Sequence, residues 1–127
     1  MTTPAARGEA REAARRELGR CRDRLAALGP GRLVRSGPTH VGAEAVAGGD
    51  PGPTPLDRVR VLLQDLADEA ADLAGEPSRP VPALGPHAAG DQLAVLAGDL
   101  LAAVAHDDDD DVAARLHERL VALRRAL

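Results

Sequence analysis

Four runs of Leu, Val and Ala recur at alternating steps of three and four residues, and two stretches rich in Gly and Pro cut them apart. That period lines apolar side chains along one stripe of an α-helix, and no alternating pattern competes for a strand. The chain is therefore expected to be all-α: an antiparallel bundle of about four helices in one domain, residues 1–127. The helices are predicted at about 5–28, 55–74, 91–105 and 109–126. Their stripes are Ala14, Leu18, Cys21, Leu25 and Leu28; Leu56, Val59, Leu63, Leu66, Ala70 and Leu73; Leu93, Leu96, Ala97, Leu100, Leu101 and Val104; and Ala113, Leu116, Leu120, Leu123 and Leu127.

Punctuation sharpens the boundaries. Gly29, Pro30 and Gly31 end the first helix. Residues 36–53 hold too little apolar surface to order themselves and read as a flexible linker. Thr54 as N-cap, Pro55 at the first helical position and Asp57 as the capping-box acid open the second helix, which Gly75 and Pro77 close. Residues 76–90, with four prolines, favour extended backbone and form a semi-rigid linker. Asp91 is placed to cap the third helix. The third helix covers more than one face with apolar residues and should be the most buried, forming a hairpin with the fourth through a turn at the Asp107 to Asp111 run. Five adjacent carboxylates suit a helix N-terminus, where free amides favour negative charge.

Phe, Tyr and Trp are all absent, so aliphatic side chains alone must build the core. Lys, Ile and Asn are missing too, and all 16 basic residues are Arg, as codon bias in a GC-rich bacterial genome would produce. A net charge of -4 gives no bulk support for nucleic-acid or anionic-membrane binding. The charge is nonetheless uneven: nine Arg outnumber four acids up to Arg35, and sixteen acids outnumber seven Arg beyond it. One cysteine excludes an intrachain disulfide, and the first residues lack the apolar run of a signal peptide, so a cytoplasmic location is expected. The most apolar stretch, Leu93 to Ala105, is shorter than the roughly 20 residues that span a bilayer, and no membrane segment is expected.

Asp65, Asp68, Glu69 and Asp72 share one face of the second helix at a spacing that can hold Mg²⁺ through carboxylate oxygen and water. The alternative is a solvated acidic face set against Arg15, Arg16, Arg20 and Arg24 of the first helix. Asp65-Leu-Ala-Asp68 or Glu69-Ala-Ala-Asp72 resembles the Glu-x-x-Glu of all-α nucleotide pyrophosphohydrolases of the MazG type. The Gly98-Asp99-Leu100-Leu101 segment is similar to the neighbourhood of that family's second acidic pair. The resemblance implies Mg²⁺-dependent hydrolysis around Asp65, Asp68, Glu69, Asp72 and Asp99, but Leu96 stands where the family pattern has its remaining Glu.

The other candidates have plainer readings. His106 with Asp107 resembles the His-Asp step of metal-dependent phosphohydrolases, for which only His87 and Asp99 are available as further ligands; His40 falls in the linker and His117 off the apolar stripe. Cys21 lies on the stripe of the first helix as a small buried hydrophobe. The Arg-rich first helix, with Arg7, Arg11, Arg15 and Arg22, suits salt bridges within the chain or to a partner.

The sequence thus favours a non-catalytic helical protein acting by binding an unknown protein partner or itself, with no cofactor and no metal. The alternative is a divergent MazG-like hydrolase using Mg²⁺, and a second alternative is a weak nucleic-acid binder through the first helix. Because a core without aromatics is thin, a homodimer is expected, with Leu18, Leu25, Leu63 and Leu66 near its contact.

Overall fold

The computed structural model describes residues 4–35, 52–104 and 110–127. Most of the expected flexible linker, residues 36–51, lies outside these, as do His40, His106 and residues 107–109. Among the described residues four α-helices form the fold: α1 (Pro4–Leu33), α2 (Pro55–Ala74), α3 (Ala89–Ala103) and α4 (Asp110–Ala126), with a 3₁₀ turn at Pro86–Ala88 before α3. The expected all-α bundle is what the chain forms.

Two boundaries differ from expectation. α1 does not stop at Leu28: Gly29 takes a left-handed φ of 76°, the chain kinks, and one further turn carries Leu33 to 2 % exposure against the core. A residue with a Cβ resists that φ, and Pro30 lacks the N–H that the break leaves unused. α3 begins at Ala89 rather than Asp91, because the 3₁₀ turn supplies its first residues and no side chain caps it. Around α2 the expected signals operate. Thr54 Oγ1 accepts from Asp57 N at 3.0 Å, Asp57 Oδ2 accepts from Thr54 N at 2.9 Å, and Gly75 closes the helix at φ 69°. These bonds with Thr54 hold the Asp57 carboxyl below its usual range.

Helix pairing departs from a simple chain of hairpins. α1 packs most extensively on α4 and next on α3; α2 packs on α3 and less on α4; α1 with α2, and α3 with α4, touch only sparingly. The expected α3–α4 hairpin is therefore not formed, and each of those two pairs lies across a diagonal. The cause is in the Pro-rich segment. After Gly75 it runs back along α2, with Gln64 bonded to residues 79 and 81 and Arg60 to residue 84, so α3 starts beside the first half of α2 and runs in the same direction. The antiparallel neighbours are α2 with α4 and α1 with α3, marked by Glu69 meeting Arg115 and Arg119, and by Arg22 meeting Asp91.

The core is mainly aliphatic. Leu63, Leu66, Leu93, Leu100, Leu116 and Leu120 are its largest fully buried members, with Val59, Val112 and Cys21 between them. Each fully buried Leu or Val contributes about 1.5–3 kcal/mol. Of the residues expected at a homodimer contact, Leu25, Leu63 and Leu66 are buried within the single chain and Leu18 packs half-buried against the same core. The packing of the four helices within one chain thus already covers Leu25, Leu63 and Leu66. Among the described residues no helix is long and apolar enough to cross a membrane.

Candidate functional site

The acidic face of α2 is dispersed rather than convergent. Asp65 and Asp72 are both exposed. Asp68 accepts from the Ser78 hydroxyl and from Gln64 Nε2 at 2.8 Å, and these bonds hold its carboxyl below the usual range. Glu69 is gripped by two guanidiniums of α4, Arg115 at 3.0 Å and Arg119 at 2.7 Å. The cations set against this face therefore come from α4, not from α1 as expected. Asp99 lies on α3, beside a hollow that it shares with Glu76 and Arg79. Among the described residues no group of three or more His, Cys, Asp or Glu side chains is placed to hold a metal ion.

The most buried charged side chain among the described residues is not legible in the sequence as a candidate. Glu17 is only 1 % exposed, on α1 between Ala14 and Cys21, facing α4. Its carboxylate accepts from Arg124 Nε of α4 and from Arg20 one turn along, at 3.3 Å. Burial raises its pKa, but the Arg124 bond and charge, with those of Arg20, outweigh burial and leave it below the ordinary carboxylate value. One turn further, the Cys21 thiol donates to the Leu120 carbonyl at 3.2 Å. Burial, with the Glu17 charge adding, pushes that thiol up to about 11, so it is a core hydrophobe with a satisfied donor rather than a nucleophile. The spacing 14, 17, 21 and 25 is itself helical, and it is the one signal that places Glu17 on the buried stripe.

Besides Arg20, which holds Glu17, three other arginines of α1 have partners. Arg15 meets Glu12 at 3.5 Å, Arg22 meets Asp91 at 3.4 Å, and Arg24 donates to the terminal Leu127 carbonyl at 3.1 Å. His87 is exposed in the 3₁₀ turn, on the rim of a groove of about 520 Å³ shared with Arg22, Asp23 and Asp91; His117 is half-buried on α4.

The segment after α2, expected as a linker, is a strap. Its prolines carry no N–H, so it cannot enter a backbone ladder, and its carbonyls instead accept from side chains. Gln64 reads it from both ends of its amide: Nε2 donates to Arg79 O at 3.0 Å and Oε1 accepts from Val81 N at 2.9 Å. Gln92 Nε2 donates to Pro82 O at 2.9 Å, and Arg60 donates to Leu84 O at 3.1 Å. Strapped down, the segment walls a groove of about 560 Å³ against α3, lined by Pro80, Val81, Pro82, Val95 and Leu96, with Leu84 at its end. Leu84 stays 49 % exposed and Val95 60 % exposed. Compared with protein-family models, curated proteins and solved structures, the chain matches none.

Proposed function

We propose that the chain works as an interaction module, binding a protein partner or a second copy of itself, and that its ionisable side chains serve the fold. The observation that carries this reading is the strap groove. Two large aliphatic side chains stay exposed over one apolar hollow: Leu84, on a strap fastened by four bonds between side chains and backbone, and Val95, on α3. Ordering such a surface costs conformational entropy, and water gains nothing from it, so a macromolecular contact accounts for it best. The residues that would serve the MazG-like alternative support this view, because Asp68 and Glu69 are committed to Ser78, Gln64, Arg115 and Arg119.

Ligands that bind only the folded state raise its melting temperature, and so does self-association as concentration rises. A thermal-shift series with Mg²⁺, Mn²⁺ and nucleoside triphosphates, run beside a protein dilution series, is expected to show dependence on protein concentration and none on metal or nucleotide. Stabilisation by Mg²⁺ with nucleotide that disappears in Asp68→Asn would contradict the reading in favour of hydrolysis.

A further inference from the structure

We propose that the strap is itself a recognition element: residues 77–82 present the outward edges of an extended, polyproline-like segment to a different protein, one whose groove is lined by aromatic side chains. This goes beyond the interaction reading above, because the partner reads the strap and not the hollow between it and α3. Proline fixes its own φ at about −65° and pushes the residue before it into extended backbone. Pro77, Pro80 and Pro82 thereby constrain every residue from 76 to 82 except Ser78, and none of these residues enters a helix. Such a segment has about three residues per turn, so residues i and i+3 share an edge. Ser78 and Val81 form one edge, and the body of the chain engages both: the Ser78 hydroxyl donates to Asp68, and Val81 packs half-buried against the core. The other two edges, Pro77 with Pro80 and Arg79 with Pro82, are exposed. What is held and what is left outward thus alternate with the period of the segment.

Exposed proline ridges fit grooves walled by flat aromatic rings, which pack on the pyrrolidine faces and need no backbone donor from the ligand. A second copy cannot supply that groove, because the chain has no Phe, Tyr or Trp. The strap is also prepared for the contact. Gln64, Arg60 and Gln92 fasten its backbone from the inner side, so little conformational freedom is left to lose when its outer edges are covered.

A chain without Trp or Tyr leaves the fluorescence of a partner's groove free to report its occupancy. The probes are isolated WW domains and Src-homology domains of the proline-binding type, whose aromatic-lined grooves take extended proline-rich segments. Titrating the full chain into this panel is expected to give a saturable change in tryptophan fluorescence in at least one domain. Pro77→Ala and Pro80→Ala are each expected to weaken that binding at least roughly tenfold while keeping the wild-type melting temperature, because both rings are exposed. Gln64→Ala, which lies on neither outward edge, is expected to weaken it as well by freeing the strap, and Val95→Glu on α3 is expected to leave it unchanged. A panel in which no domain responds overturns the proposal and leaves the interaction reading standing. A response that survives both proline substitutions and is lost in Val95→Glu overturns it in favour of the hollow beside α3.

Discussion

Between α1 and α4 the deepest contacts are polar, with Glu17 held by Arg124 and the Cys21 thiol on the Leu120 carbonyl; α2 and α3 bury only aliphatic side chains. α1 is twice the length of α3 yet buries only Ala14, Cys21, Leu25 and Leu33 besides Glu17, whereas α3 buries Ala89, Leu93, Ala97, Leu100 and Leu101. The difference separates stability from specificity. Apolar burial scales with area and tolerates sliding, while a desolvated carboxylate accepts one position for its guanidinium and penalises all others. A helix that buries only two leucines gains its register from Glu17, and α2 and α3, which bury four and three, need no such device.

The largest effect should come from breaking the aliphatic side of this comparison. Leu100→Ala removes a fully buried side chain and is expected to cost about 2–5 kcal/mol in chemical denaturation, because the cavity relaxes only in part. Val95→Ala, at an exposed site on the same helix, should leave the denaturation midpoint of the monomer nearly unchanged.

On the polar side, Cys21 makes the α1–α4 contact sensitive to alkali. Its folded pKa is raised from 9.0 to about 11, so the buried thiol favours folding below pH 9 and loses that contribution as pH rises through the interval. The loss amounts to at most about 2–3 kcal/mol, and Cys21→Ala should flatten that limb of the stability profile. Thiol labelling at pH 8 should also be slow and track global unfolding; fast labelling would mean that α1 opens locally.

A smaller effect is expected at the strap. Gln64→Ala leaves the Val81 N–H and the Arg79 carbonyl without their amide partner, which should cost about 1–2 kcal/mol and expose residues 77–84 to proteolysis before the helices unfold. Asp65→Asn, on the exposed acidic face, should change neither stability nor protease sensitivity.

How much of this is legible in the sequence varies with the range of the interaction. α2 is readable to its ends, because Thr54, Pro55, Asp57 and Gly75 act on neighbouring backbone alone. Helix pairing is not, since it depends on where the strap leads the chain, and that is decided by Gln64, Arg60 and Gln92 reaching carbonyls 10 to 24 positions away. The acids show the same divide. Their spacing on α2 is visible, but that Glu69 belongs to Arg115 and Arg119 of α4 is not. Glu17 stands on a helical stripe in plain view and still gives no signal, because a carboxylate reads as solvated until its partner, 107 positions away, is in place.

The acidic limb of stability follows from that pair. Glu17 has a folded pKa below its ordinary value of 4.5, so its contribution is complete above that value and is lost as pH falls through the folded pKa. Urea denaturation of Glu17→Gln, Arg124→Met and the double variant at neutral pH tests the register lock most directly. Arg124→Met leaves a buried carboxylate without its main partner and should lower the midpoint more than Glu17→Gln does. The double variant should lose much less stability than the two single losses summed. Strictly additive losses, with the double variant at the summed position, would show that Glu17 and Arg124 are not coupled and that charge plays no part in fixing α1 on α4.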